Sequence, residues 1–243
     1  MGTTIQICPR PSNYITLSLH QDIARLIIFA WMIYLVGLFN ALILATLFSC
    51  SVPDLSDPET LRDAQKEAIP LDFLERKLMY GMIPLYVDQN GDPYSGFVKK
   101  FDDFNMTTLG FLKKGRKEGL WISCDNQGTK RALQEWKEDR LEGIFRAWHA
   151  GGGLKVSGQT KDGEVDGKWV EYYLSGQLAS RSLNRVGHLV SIEVWHPNGE
   201  KCNESKVEEG TGQFFKYLAD GRINHHRTFQ DGVETSIKVY NHR

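Results

Sequence analysis

The chain has 243 residues, and its 29 lysines and arginines against 30 aspartates and glutamates leave a formal net charge of −1. A chain without excess positive charge is not expected to be a general nucleic-acid binder, and 41% hydrophobic residues exclude a wholly disordered protein. Its four cysteines (Cys8, Cys50, Cys124 and Cys202) share no Cys-x-x-Cys spacing, so neither a zinc site nor a disulfide framework is predicted.

An uncharged apolar segment dominates the N-terminal fifth. Residues 26–47 read LIIFAWMIYLVGLFNALILATL; at about 1.5 Å per residue they span roughly 33 Å, enough to cross a hydrocarbon core of about 30 Å. The chain therefore divides into a leader (residues 1–25), a membrane segment (26–50), a linker with a short helix (51–85) and a repeat domain (86–243).

The membrane segment has two interpretations. It is an uncleaved transmembrane anchor, or it is a lipoprotein signal, because Leu47-Phe48-Ser49-Cys50 resembles a lipobox that would leave a lipidated Cys50 at the mature N-terminus. The stretch is longer than the usual 7–15 residues of a signal core, which favours the anchor. Both alternatives stay open, as does a start at Met32 instead of Met1.

Charge around this segment predicts its orientation. Arg10 and Arg25 precede it, and the first basic residue after it is Arg62. The positive-inside rule then places the N-terminus in the cytoplasm and the repeat domain outside it, in the periplasm or at the cell surface. In the linker, Asp57 as N-cap and Pro58 at the first helical position predict a short helix that runs to about Ala68 and ends before Pro70.

Glycines in the second half recur with a period near 24 residues. A first column consists of Gly128, Gly152, Gly176, Gly199 and Gly221. A second column consists of Gly91, Gly115, Asp139, Gly163, Gly187, Gly210 and Gly232, with Asp139 as the one replacement. Both columns predict tight hairpin turns, where positive φ favours glycine. Counting back, Phe104 replaces the first-column turn glycine in the earliest unit.

Large side chains follow the same register. Seven residues before the first-column glycines stand Trp121, Phe145, Trp169, Ile192 and Phe214. Four residues before them stand Cys124, Trp148, Tyr172, Trp195 and Tyr217. Each unit reads as strand, turn, strand, turn. The predicted fold is mainly β: an elongated array of consecutive antiparallel β-hairpins, preceded by one N-terminal transmembrane or signal helix. A spacing of three puts the two columns on opposite faces of an ideal strand, unless a bulge intervenes.

The repeat unit resembles a known family. Residues 164–178, EVDGKWVEYYLSGQL, resemble the MORN repeat variant, and residues 90–97, NGDPYSGF, resemble the opening unit of such arrays. Bacterial proteins of this kind are often labelled YwqK-family antitoxins, and related arrays are described as membrane- or protein-associated scaffolds. The resemblance implies a β-hairpin fold and an interaction role, and it supplies no catalytic residues.

The sequence therefore predicts a membrane-tethered, extracytoplasmic repeat scaffold that binds a protein, an envelope polymer or a lipid surface, without catalysis, cofactor or metal. An antitoxin-like partner of a toxin protein is the alternative, and a cell-envelope hydrolase a weaker one. The predicted binding stripe consists of Trp148, Tyr172, Trp195 and Tyr217, because exposed aromatic patches mark interaction sites. Gly151-Gly152-Gly153, Asp102-Asp103 and His225-His226 are interpreted as turn residues and solvated histidines.

Overall fold

A computed structural model describes residues 52–78, 84–102 and 105–241. The predicted leader (1–25) and membrane segment (26–50), with Cys50, lie outside the described residues, so the two interpretations of that segment stay predictions. Within the described ranges, no helix is long and apolar enough to span a membrane.

The predicted short helix is present as α1, Pro58–Glu67. Asp57 caps it by accepting a hydrogen bond from the backbone N–H of Thr60 at 2.8 Å, and Pro58 opens its first turn. The helix packs on the sheet through Ala64, which is fully buried together with Leu55 just before it. Part of the segment assigned to a linker is thus a covering layer of the sheet, because its small and aliphatic residues bury against strand side chains.

Fourteen strands form one sheet, in the order β1-β4 and then β5 to β16 in sequence. All neighbours pair antiparallel except β1 and β4. A separate hairpin pairs β2 with β3. The bounds are β1 Ile69–Pro70, β2 Glu75–Leu78, β3 Pro84–Val87, β4 Gly96–Phe101, β5 Thr107–Lys113, β6 Arg116–Cys124, β7 Lys130–Lys137, β8 Arg140–Trp148, β9 Leu154–Lys161, β10 Glu164–Tyr172, β11 Leu178–Arg185, β12 His188–Val194, β13 Lys206–Glu208, β14 Thr211–Tyr217, β15 Ile223–Gln230 and β16 Val233–Val239. The consecutive antiparallel hairpins predicted from the glycine period are confirmed.

The two glycine columns correspond to two kinds of turn. First-column glycines, such as Gly128 (φ 79°), close three-residue loops in which the Gly128 N–H donates to the Asp125 carbonyl at 3.0 Å. The strand register shifts beside these loops, for example between Ser123 and Cys124. A three-residue loop with such a shift is the pattern of a type I turn with a glycine bulge. These loops are therefore one residue longer than the two-residue turns that the sequence suggested.

From Gly115 onward, the second-column residues occupy two-residue turns. Both central residues have positive φ in each of them, for example Asp162 (53°) and Gly163 (90°), as a type I′ turn requires. Asp139 also fits this conformation with φ 68°, so its interpretation as a replacement for glycine is confirmed.

One assignment at the start of the array is wrong, and another falls outside the described residues. Gly91 does not belong to the second column: its N–H donates to the Asp88 carbonyl at 3.0 Å, as in the glycine-bulge loops. Phe104 lies outside the described residues, and beside it Asn105 has the left-handed conformation (φ 57°) in the connection between β4 and β5. Asparagine tolerates this conformation without being glycine.

One face of the sheet carries the first column of large side chains. Across the β6–β7–β8 strands, Gln134 lies between Trp121 and Phe145 in the register. Across β10–β11–β12, Ser182 lies between Trp169 and Ile192 in the same way. Facing pairs share a side of the sheet, so these side chains form one row, which we call the aromatic row: Trp121, Phe145, Trp169, Ile192 and Phe214. The rings of Phe145 and Trp169 are 5.1 Å apart.

Neighbouring repeat units are joined at their two-residue turns. The Gly163 N–H donates to the Leu141 carbonyl, and the Asp162 N–H donates to the Glu142 carboxylate at 2.8 Å. The same arrangement recurs at Gly187, which donates to the Val165 carbonyl. Further carboxylate contacts join Glu138 N–H to Glu118 and Val186 N–H to Asp166. Each turn is thus held by the preceding unit, as expected of a repeat array in which units stabilise one another.

Candidate functional site

The four residues of the predicted binding stripe are all half-buried and lie at the ends of their strands. Trp148 faces Leu154 across the β8–β9 pair, next to a register shift. Trp195 lies under two cations, with the Arg181 guanidinium 5.6 Å and the Lys201 ammonium 5.9 Å from its ring centre. Both cations also contact Glu193.

Tyr172 and Tyr217 are brought together in one cleft of about 380 Å³. We call it the tyrosine cleft and define it by Tyr172, Tyr173, Tyr217, Glu171, Lys216 and Lys155. Its volume lies within the range of small-ligand sites. The cleft contains two of the four predicted stripe residues, whereas Trp148 and Trp195 do not line it.

An ion pair crosses the tyrosine cleft. The Lys216 Nζ on β14 lies 2.8 and 2.9 Å from the two carboxylate oxygens of Glu171 on β10. Three strands separate β10 from β14 in the sheet order. In a flat sheet the two backbones would be about 19 Å apart, at about 4.8 Å per strand, which is beyond the reach of the two side chains. The sheet therefore curves locally toward the face that carries this pair.

Two tyrosine hydroxyls of the cleft, those of Tyr173 and Tyr217, have internal partners. Tyr173 donates to the Trp195 carbonyl at 2.7 Å, and the Tyr217 oxygen lies 3.2 Å from the Cys202 sulfur. Burial raises the pKa of Tyr173 to about 12, and burial together with the Cys202 contact raises the pKa of Tyr217. Both phenols therefore stay neutral at physiological pH, and their rings are held in position as cleft walls.

We expect the raised pKa of Tyr173 to make the protein less stable at high pH. The unfolded chain ionises this phenol at about pH 10, whereas the folded chain does so only at about 12. The stabilisation is thus complete below pH 10 and is lost as the pH rises toward 12. Urea unfolding across this range measures the loss, and Tyr173→Phe should decline less steeply than the wild type. Equal slopes for the two proteins would contradict the assignment.

Glu171 and Lys216 were missed by sequence reasoning although they carry a signal. Both stand five residues before a first-column glycine, and the other units have Ser123, Ala147 and Val194 there. Small or apolar residues suit this position because it faces the same side of the sheet as the aromatic row. Opposite charges therefore stand at this position in two of the units, which departs from the rest of the repeat. This departure is visible when the same position is compared across all units.

Several of the other groups singled out from the sequence have structural contacts, whereas the His225 Nδ1 is buried with no hydrogen-bond partner among the described residues. Asp102 accepts a hydrogen bond from the Met106 N–H in the β4–β5 turn, whereas Asp103 lies outside the described residues. Gly152 closes a turn on His149, and His226 contacts Gln213 at 3.0 Å. Cys124 and Cys202 are free thiols. Among the described residues, no group of three or more His, Cys, Asp or Glu side chains could hold a metal ion.

Comparisons with known proteins do not assign this fold and cleft to a family. No protein-family profile matches the chain, and no curated protein shows significant similarity to it.

Proposed function

We propose that the chain is a non-catalytic interaction module that recognises a partner, a protein or an envelope component, through the tyrosine cleft. The observation that carries this proposal is the Glu171–Lys216 pair on the face that otherwise packs small and apolar side chains. Tyr172, Tyr217 and the exposed Lys155 line the same cleft as the pair. Tyrosine is enriched at interaction sites, and the ion pair places polar groups in the same cleft.

Packing alone gives no reason for charges at this position. Two partly buried ions lose hydration, and replacing such a pair by well-packed apolar residues is often neutral or stabilising. The equivalent Ala147 and Val194 indicate that the repeat tolerates apolar residues there. Because the fold does not need the Glu171–Lys216 pair, these two charges can serve to recognise a polar ligand. This supports binding at the tyrosine cleft.

The acidic side chains of the array support an interaction role over a hydrolytic one. Glu118, Glu142 and Asp166 each accept a hydrogen bond from a turn N–H of the next unit. Such carboxylates have a structural role, because they hold the turns of neighbouring units. The resemblance to MORN-like repeats points the same way. Residues 26–50 would tether the module to a membrane, with the repeats outside the cytoplasm.

A charge reversal at the cleft tests the proposal. Tagged full-length chain is purified from gently solubilised membranes of its native host after crosslinking, as wild type, Lys155→Glu and Lys161→Glu. Lys161 is the matched control because it is an exposed lysine on the same strand, β9, outside the cleft. We expect a defined partner with the wild type and the control, and at least about tenfold less of it with Lys155→Glu, which corresponds to about 1.4 kcal/mol.

A Trp148→Ala/Trp195→Ala variant tests the remaining part of the predicted stripe. Because these residues lie outside the cleft, partner capture should change less than with Lys155→Glu. Equal capture by all four proteins would refute the tyrosine cleft as the binding site.

A further inference from the structure

A second cleft lies between helix α1 and the sheet, apart from the tyrosine cleft. It has a volume of about 410 Å³, and we call it the helix cleft. The residues that define it are Leu61 of α1, Lys99 of β4, Leu109 of β5, Ile122 and Cys124 of β6, and Lys130 of β7. No residue of the aromatic row or the tyrosine cleft contributes to its lining.

The wall of the helix cleft is apolar and well supported. Leu109 and Ile122 are 6% and 3% exposed, and they pack against the buried Ala64 of the helix. Leu61 is partly buried against the same cluster. Burial raises the pKa of the Cys124 thiol, so this side chain stays neutral and adds to the apolar surface. The cleft can therefore accept an apolar ligand body without displacing the helix.

The charges around the helix cleft that have no ion-pair partner among the described residues are positive. Among the described residues, Asp125 is the one carboxylate that lines it, and its Oδ1 accepts hydrogen bonds from the backbone N–H groups of Gln127 and Thr129. Its Oδ2 contacts Arg131 at 2.6 Å. Lys99 and Lys130, in contrast, form no ion pair with any residue in the described ranges. Two ammonium groups therefore remain available beside an apolar wall.

We propose that the helix cleft binds a small amphiphilic carboxylate, with its apolar body against Leu61, Leu109 and Ile122 and its carboxylate between Lys99 and Lys130. Charge complementarity decides the class of ligand: a cationic amphiphile would meet two like charges, and a neutral one would leave both ammonium groups unused. Lysine recognises an anion as a flexible point charge, so the site selects for charge and apolar body more than for a particular headgroup geometry.

The ligand class can be tested with matched probes and one thiol. Full-length protein in nanodiscs of zwitterionic lipid is treated with a maleimide, and modification of Cys124 is followed by peptide mass spectrometry. Octanoate, octanol and octylammonium share a chain and differ in charge, and acetate supplies the headgroup alone. We expect octanoate to slow modification at concentrations about tenfold lower than octylammonium requires, and acetate to give no protection.

Two double variants separate a specific site from partitioning into the lipid. Lys99→Gln/Lys130→Gln should abolish the preference for octanoate while leaving protection by octanol. Lys161→Gln/Lys168→Gln, with two exposed lysines on β9 and β10, should behave as wild type. Equal protection by octanoate and octylammonium, or an unchanged preference in the first variant, would overturn the proposal. Partner capture through the tyrosine cleft is independent of both outcomes.

Discussion

Replacing Trp121 by alanine lowers the free energy of unfolding by about 3–5 kcal/mol, the usual effect of removing a fully buried aromatic side chain. Trp121 is 3% exposed, and its ring covers Gly110 on the neighbouring strand, where an added Cβ would lie 2.0 Å from a ring atom. The ring also contacts the Lys117 ammonium at 4.6 Å. Loss of this side chain leaves a cavity between the sheet and the segments that cover it.

Urea unfolding followed by circular dichroism measures this effect. Trp148→Ala is the matched control, because Trp148 belongs to the other column and is only half-buried. We expect it to lose less than half as much stability as Trp121→Ala. Similar losses for the two variants would mean that the aromatic row does not form the core of the array.

Gly210→Ala is expected to destabilise the protein by several kcal/mol, considerably more than Gly176→Ala. Both glycines have positive φ, 82° and 85°, so alanine is strained at both by about 1–2 kcal/mol. Only at Gly210 would the new Cβ also meet backbone, 2.5 Å from the nitrogen of Gly232. At Gly176, no atom of the described residues lies within 4 Å of the added Cβ. The difference between the variants therefore isolates the close approach of two successive turns.

Thermal unfolding of both variants beside the wild type checks this difference. Gly232 donates its N–H to the Gly210 carbonyl at 2.9 Å, so the strain at Gly210 acts directly on a contact between units. Equal destabilisation of the two variants would show that these turns do not touch.

The repeat architecture was predictable because turn chemistry is local. Positive φ at the second central residue of these turns selects glycine or a short polar residue, so Gly163 and Asp139 mark the same turn wherever the unit recurs. The boundaries of the first unit were less predictable, since Asn105 satisfies the same backbone demand without being glycine. Packing of residues 52–78 was not predictable, because the apolar residues Leu55 and Ala64 are too few to indicate which surface they cover.

The candidate site was predictable only in part. Tyr172 and Tyr217 stood out as large residues in a repeating column, but the column does not say how strongly the sheet curves. Their meeting depends on this curvature, which brings β10 and β14 close enough for Glu171 and Lys216 to pair. Contacts between strands that are not neighbours depend on three-dimensional shape, and a linear period near 24 residues does not encode it.

Hydrogen exchange at single-amide resolution most directly tests whether each hairpin of the array holds the turn of the next one. The amide protons of Asp139, Gly163 and Gly187 donate to carbonyls of the preceding unit at 3.1, 2.9 and 2.8 Å. The amides of Asn126, Gly151 and Ser175 lie in exposed loops at the other ends of the strands. We predict slow exchange for the first set, close to that of the strands, and fast exchange for the second. Fast exchange of both sets would contradict an array in which each turn is held by its neighbour.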